Sequence, residues 1–169
     1  MQDSVSQPPS GDRQAESHPP PRLRRSPGWQ KLRDSAASYV AVALGSIVGG
    51  VARYLASVLF ASQFGSGFPW ATLFVNIVGS FIIGFYATLT GPDGRLLVSP
   101  QQRQFVMVGF CGGLTTFSAF SLDTLRLVQS GSAATAALNL LISVIGWLLA
   151  VWLGHLAAAR LNRLLGTER

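Results

Sequence analysis

The sequence predicts an all-α integral membrane protein with four transmembrane helices, the third of which is broken in mid-membrane. Of the 169 residues, 49% are hydrophobic and only 12% are charged, a composition typical of a membrane protein. Apolar runs at 38–62, 70–90, 104–128 and 133–159 are each long enough to cross the ~30 Å hydrocarbon core as a helix. Helix-breaking residues interrupt the third run, and the functional prediction depends on this interruption.

Residues 1–34 are rich in Pro, Ser, Gln and Arg, which predicts a disordered basic tail ahead of a four-helix domain at 35–169. The net charge is +6, but no nucleic-acid recognition fold accompanies it, so we expect no nucleic-acid partner. Outside the spans, nearly all basic residues lie on the side shared by both termini, against Arg126 alone on the other. The positive-inside rule therefore predicts cytoplasmic termini for a singly oriented chain.

The first span carries a small-residue face and one arginine. Gly45, Gly49 and Gly50 would let another helix approach closely. Arg53 follows within the same run, where an arginine costs at least ~2.5 kcal/mol at the helix centre. It should therefore face protein or water, or reach the interface; a role at a vestibule and simple snorkelling both fit.

The second and fourth spans each carry isolated polar side chains. Asn76 is the one strongly polar residue of the second span, and its amide must hydrogen-bond across helices or face a pathway. That amide has two N–H groups that can donate to an anion. Asn139 and Ser143 lie four residues apart, hence on one face of the fourth span. They fit either a continuation of the pathway or a packing contact between helices.

The third span contains adjacent glycines at 112–113 and adjacent threonines at 115–116. Each glycine costs about 1 kcal/mol in a helix relative to alanine, and the threonines are β-branched. We therefore predict a break at 112–116. Unpaired backbone groups in hydrocarbon are tolerated where they line a polar cavity or hold an ion. Free carbonyls would hold a cation, while hydroxyls and phenylalanine edges at 116–121 would face a permeating ion. The alternative is a small-residue packing face.

Three motifs extend this interpretation. They are Gly-Gly-Leu-Thr-Thr-Phe-Ser-Ala-Phe at 112–120, Gly-Gly-Val-Ala-Arg-Tyr at 49–54 and Phe-Val-Asn-Ile-Val-Gly at 74–79. With the four-span layout, they resemble the bacterial fluoride channel family known as Fluc or CrcB. The resemblance covers roughly residues 38–162 and leaves the N-terminal tail outside.

The resemblance implies a passive fluoride channel in the bacterial inner membrane that exports cytoplasmic fluoride and lowers its toxicity. It also implies an antiparallel dimer with two pores and a structural Na⁺ at its centre. The partner would be an identical copy or an oppositely oriented sister subunit. Because the Lys/Arg asymmetry of this chain favours a single orientation, a sister subunit is the hypothesis that it supports.

Site residues follow from the resemblance position by position. The backbone carbonyls that hold sodium match Gly112 and Thr115, and the stacked pore phenylalanines match Phe117 and Phe120. Ala119 and Asp123 depart mildly from the family pattern, which often has Thr and Glu there. The predicted fluoride pathway comprises Asn76, Thr116, Phe117, Ser118, Phe120, Ser121, Asn139 and Ser143, with Arg53 and Gly113 in structural or vestibule positions.

Three other functions require features that the sequence supplies poorly. A small proton-coupled exporter needs a membrane carboxylate, and Asp123 is the only candidate. An intramembrane hydrolase using Ser118 or Thr115 needs a positioned base, but the sole histidine in the spans, His155, lies near the end of the fourth. A non-catalytic membrane assembly protein would leave the break and Asn76 unexplained. We therefore expect a channel without catalytic residues.

Overall fold

A computed structural model describes residues 27–166, apart from 66, 93 and 95. Four helical stretches are long and apolar enough to cross a membrane, which confirms the predicted all-α membrane architecture. Three of them are uninterrupted helices, and the third span is assembled from four shorter pieces. The elements are α1 (Pro27–Phe64), α2 (Trp70–Leu89), α3 (Pro100–Gln104), a π-helical segment (Phe105–Phe110), α4 (Cys111–Leu114), α5 (Phe117–Gln129) and α6 (Ala133–Gly166).

Helix α1 begins earlier than predicted. Residues 27–34 are helical, so the expected disorder of the 1–34 tail is wrong for its last part, and 1–26 lie outside the described residues. Pro27 stands at the helix start, where its fixed φ and missing N–H are tolerated, and good helix formers such as Lys31 and Leu32 follow. At 1.5 Å per residue, α1 is about 57 Å long and extends well beyond the hydrocarbon core.

Helices α1 and α2 pack against different parts of the bundle. Helix α2 packs along α6, while α1 packs against the π-helical segment and α4. A side chain on Gly45 or Gly49 would collide with the backbone of the third span, and one on Gly113 would collide with Ser46 of α1. Gly50 faces open space. The predicted small-residue face is thus a contact surface between the first and third spans.

The start of the third span follows from local sequence. The Ser99 hydroxyl accepts a hydrogen bond from the Gln102 N–H at 3.2 Å, and the Gln102 side chain accepts one from the Ser99 N–H at 3.0 Å. With Pro100 in the first turn, this is a capping box, as the predicted helix start requires. The ladder then widens, because the Cys111 N–H donates to the Val106 carbonyl. Such π-helical insertions often occur at functional sites.

Polar residues are part of the small interior. Asn76, Asn139 and Ser143 are buried, as are apolar side chains such as Val75 and Phe120. In contrast, many large apolar side chains of α1 and α6 are exposed. This inside-out distribution is expected of helices that face lipid or another subunit.

Candidate functional site

The third span changes conformation between α4 and α5. Helix α4 ends at Leu114, and α5 begins at Phe117. Thr115 (φ −79°, ψ 154°) and Thr116 (φ −153°, ψ 119°) are both extended. The helical hydrogen-bond ladder is therefore interrupted over two residues, and these two residues are the centre of the candidate site.

The prediction that the break includes the glycines is wrong. Gly112 and Gly113 are helical and belong to α4. The reason is tertiary: Gly113 lies against the backbone of Ser46, and only a residue without a side chain permits that approach. Packing on α1 therefore offsets the low helix propensity of the pair, and the extended conformation is confined to the threonines.

Asn76 of α2 holds the interrupted backbone. Its Nδ2 donates to the Thr116 carbonyl at 3.0 Å, and its Oδ1 accepts from the Thr116 N–H at 2.7 Å. The Asn76 side chain is only 5% exposed. It thus pairs with the Thr116 N–H, which would otherwise lack a helical partner inside the membrane, and adds a bond to the Thr116 carbonyl at the start of α5. The second N–H of Nδ2 is not used by these two bonds.

Thr116 also starts the next helix. Its Oγ1 accepts a hydrogen bond from the Ala119 N–H at 3.1 Å, so Thr116 is the N-cap of α5. The Ser118 hydroxyl lies 3.2 Å from the same oxygen. The N-terminus of α5, with its partial positive charge, therefore adjoins the extended pair.

Arg53 reaches the same place from α1. Its Nη1 donates to the Thr115 carbonyl at 3.4 Å, and the side chain is half-buried. Arg53 therefore contacts protein, and snorkelling to the interface is not its only role. A shallow cavity of about 540 Å³ adjoins it. This vestibule cavity is lined by Gly50, Arg53, Tyr54, Ser57, Thr116, Ser118, Ala119 and Leu122.

The donor set available for a cation consists of backbone oxygens. In the described part of the chain, no cluster of three His, Cys, Asp or Glu residues could hold a metal ion. Carbonyl oxygens suit hard cations, so Gly112 and Thr115 have the right chemistry for Na⁺. Gly112 is exposed, whereas the Thr115 carbonyl already accepts from Arg53. Two carbonyls cannot enclose a cation, so a Na⁺ site here would need further oxygens.

The two phenylalanines after the break differ in environment. Phe117 is 70% exposed, whereas Phe120 is only 4% exposed. Their ring centroids lie 5.5 Å apart with the planes tilted by 50°, so within this chain they do not form the stack that the resemblance implies. Phe120 also meets Trp147 of α6 edge to face, with centroids 4.9 Å apart and planes at 75°.

A smaller cavity of about 220 Å³ lies beside the extended pair, and we call it the break cavity. It brings together the predicted pathway residues Asn76, Thr116 and Phe117 with two residues that sequence reasoning missed, Ser80 and Trp147. A signal for both existed, because Ser80 lies four residues after Asn76 and Trp147 lies four residues after Ser143. The full lining is Asn76, Ser80, Ile83, Thr115, Thr116, Phe117 and Trp147.

Asn139 and Ser143 connect α6 to α5 and do not line the break cavity. Asn139 Nδ2 donates to Thr124 Oγ1 at 2.9 Å, and Thr124 Oγ1 donates to the Phe120 carbonyl at 2.8 Å. The Ser143 hydroxyl donates to Asn139 Oδ1 at 3.4 Å. Both α6 side chains are 1% exposed. These contacts support the interhelical packing role that the sequence left open for the pair.

Ser118 and Ser121 lie on the outer side of α5 with Phe117, and all three are exposed. Ser121 Oγ donates to the Phe117 carbonyl at 3.0 Å. The predicted pathway residues therefore divide into two groups. One is exposed (Phe117, Ser118 and Ser121), and the other is buried or half-buried (Asn76, Thr116, Phe120, Asn139 and Ser143).

The residues that an exporter or a hydrolase would require form hydrogen bonds with other residues. Asp123 Oδ2 accepts a hydrogen bond from Thr72 Oγ1 at 2.7 Å, in a separate cavity of about 480 Å³ near the α1–α2 connection. His155 Nδ1 pairs with Thr88 at 2.8 Å, whereas Ser118 pairs with Thr116. Among the described residues, no hydrogen bond therefore joins a hydroxyl nucleophile candidate to the histidine that a hydrolase would need.

Comparison with known proteins identifies the family. The model of the family described as CrcB-like protein, Camphor Resistance (CrcB), matches residues 40–155. The chain is 61% identical over 137 residues to a Rhodopseudomonas palustris (strain BisB18) protein named Fluoride-specific ion channel FluC 1, covering 81% of this chain and 97% of that protein. A Bradyrhizobium diazoefficiens protein of the same name is 59% identical over 130 residues, covering 77% and 90%. The chain therefore belongs to the CrcB-like (Fluc) family, and the resemblance inferred from its motifs is confirmed.

Proposed function

We propose that this protein is a fluoride channel, which conducts the ion passively down its electrochemical gradient and thereby relieves cytoplasmic fluoride toxicity. The observation that carries the proposal is the extended Thr115–Thr116 pair, held by the buried Asn76 beside a cavity in mid-span. The printed names of the similar relatives, fluoride-specific ion channels, supply the identity of the ion.

Fluoride is small and tightly hydrated, so a pore must replace its water with closely spaced donors. Asn76 has one N–H beyond the bond to Thr116, and the Thr116 hydroxyl can still donate because its oxygen is the acceptor for Ala119. Phe117 adds a ring whose positive edge can meet an anion side-on. The Thr115 hydroxyl already donates to the Cys111 carbonyl, so it contributes less to binding fluoride.

Positive potential near the break supports an anion rather than a cation as the permeating species. Arg53 and the N-terminus of α5 both adjoin the extended threonines. No lysine occurs within the spans. An anion would therefore meet neutral donors and one partly solvated arginine rather than a deep charge trap, which suits rapid passage.

We further propose that two chains associate as an antiparallel dimer with two pores. The break faces outward, because Gly112 and Phe117 are exposed in the single chain. A partner packed on this side would cover Phe117, Ser118 and Ser121 and turn them toward a shared pathway. Two-fold symmetry would also bring together the Gly112 and Thr115 carbonyls of both chains around one structural Na⁺. When bound, the ion would offset the partial negative charge of these carbonyl oxygens and add positive potential near the pores.

The test is fluoride efflux from liposomes that contain only the purified protein. We expect rapid efflux once a potassium ionophore relieves the charge imbalance, with neither ATP nor a proton gradient. Phe117→Ile should abolish most of the flux, because the ring edge is lost while a side chain that is 70% exposed contributes little to folding. Leu97→Ala, which removes a 96% exposed loop side chain, is the control. Absence of efflux from the wild-type protein, or efflux only with a proton gradient, would defeat the proposal.

A further inference from the structure

We propose that the indole N–H of Trp147 donates a hydrogen bond to fluoride in the break cavity, making Trp147 a residue of the permeation pathway. The inference rests on the proposed channel function and adds a ligand to it. Trp147 belongs to none of the sequence motifs that predicted the pathway.

The first observation is an unsatisfied donor. Trp147 Nε1 is buried, and within the described residues it is the only buried side-chain nitrogen or oxygen without a hydrogen-bond partner. Buried polar groups are nearly always paired, because an unpaired donor loses its bonds to water without replacement. A lone exception in the interior of a small membrane protein therefore requires an explanation.

The second observation is where this side chain lies. Trp147 lines the break cavity together with Asn76 and Phe117. Nε1 itself has almost no accessible surface, so donation to an ion in the cavity requires the indole to turn toward the space that its ring already lines. The cavity of about 220 Å³ is large enough to hold a small anion with part of its hydration shell.

The chemistry of the donor selects the kind of ligand. An indole nitrogen donates and cannot accept, so it can bind an anion but not a cation. Asn76 has one N–H not used by Thr116, and Phe117 presents a polarised ring edge. Three neutral donors of this kind would hold fluoride without a countercharge. A weak site made of neutral groups favours passage over trapping.

The geometry also allows a purely structural role for Trp147, and the experiment must distinguish that role from fluoride binding. The rings of Trp147 and Phe120 meet edge to face at 4.9 Å, so the indole N–H could instead point at the Phe120 ring. Trp147→Phe keeps an aromatic ring at this contact but removes the N–H. Trp152→Phe is the matched control, because Trp152 lies on the same helix, is 55% exposed and does not line the break cavity.

Flux in liposomes is the first measurement. We expect Trp147→Phe to reduce fluoride efflux by about 10-fold or more, as befits loss of one hydrogen bond to an ion, and Trp152→Phe to leave it near the wild-type value. Unchanged efflux in Trp147→Phe would overturn the inference while the proposed channel function stands. Absence of efflux from the wild-type protein would defeat the proposed function itself, so the two failures are distinguishable.

Nuclear magnetic resonance of the indole group is the second measurement. In protein labelled with ¹⁵N-indole tryptophan, the Trp147 signal is assigned by its disappearance in Trp147→Phe. We expect sodium fluoride to move the Trp147 indole proton downfield, and sodium chloride at the same concentration to leave it in place. If Trp147→Phe reduces flux but fluoride does not move this signal, the residue acts only through packing and the inference is wrong. If chloride moves the signal equally, the shift reflects salt in general, and the inference is likewise wrong.

Discussion

The side-chain amide of Asn76 pairs with both the N–H and the carbonyl of Thr116, as a neighbouring β-strand would. The two contacts, at 2.7 and 3.0 Å, join residues that are 40 positions apart in the chain. Inside a membrane, a broken helix is stable only if other groups replace its lost hydrogen bonds. The conformation of the third span therefore depends on one residue of the second.

Asn76→Ala should both destabilise the protein and stop conduction. The substitution leaves the Thr116 N–H unpaired and removes a second bond to its carbonyl, and we expect a loss of about 2–3 kcal/mol in the free energy of unfolding, together with a large loss of fluoride flux. Thermal unfolding in detergent and liposome efflux measure the two effects. Ser62→Ala, which removes an exposed hydroxyl bonded to its own helix at Leu59, is the control. A stable variant with normal flux would contradict the assigned contact.

Arg53→Gln should weaken fluoride flux more than it weakens folding. Because Arg53 is half-buried and its bond to the Thr115 carbonyl is long, at 3.4 Å, its loss should have little effect on stability. The missing positive charge should lower the fluoride flux by about 10-fold at low ionic strength and by less in high salt. Efflux measured across a series of salt concentrations provides the check. Arg53→Lys should recover part of the flux, and full activity of Arg53→Gln would show that the positive charge plays no part in conduction.

Asp123→Asn separates a passive channel from a proton-coupled exporter. Asp123 is the only acidic side chain of the third span, and its carboxylate accepts a bond from Thr72 that an asparagine oxygen can retain. We therefore expect passive fluoride efflux to remain near the wild-type value. A coupled exporter would instead lose transport, because its proton carrier would be gone. Complete loss of flux in a folded Asp123→Asn protein would favour the exporter.

Removal of sodium should weaken the dimer and the flux together. If the Gly112 and Thr115 carbonyls of two chains share one Na⁺, purification in a large organic cation in place of sodium leaves those oxygens without their cation. We expect a lower fluoride flux and a shift toward monomer, both reversed when sodium is returned. Size-exclusion chromatography with light scattering measures the association. Equal behaviour with and without sodium would count against the site.

Orientation in the membrane distinguishes an identical partner from a sister subunit. The basic residues outside the spans are strongly biased to the side of the termini, which favours one orientation for this chain. We expect reporter tags on both termini to be cytoplasmic when the protein is expressed alone. Equal reporter signal from both sides of the membrane would instead support an antiparallel homodimer.

The sequence by itself determined the features that depend on local chemistry. Hydropathy defines four spans, because about 20 apolar residues are required to cross the hydrocarbon core. Ser99, Pro100 and Gln102 define the start of the third span, because a capping box is built from residues three positions apart. The helix-breaking motif at 112–116 indicated the correct region of the site, since Thr115 and Thr116 lie within it.

Only the tertiary structure decided how that region is built. The glycines at 112–113 remain helical because α1 packs closely on Gly113, so helix propensity alone predicted the start of the break too early. Arg53 lies 62 positions from Thr115, and their contact arises because α1 packs beside the third span. The unpaired indole N–H of Trp147 can be recognised only from the three-dimensional structure, because that structure gives the position of every possible partner. Contacts between distant residues, unlike spans and caps, depend on how the helices pack.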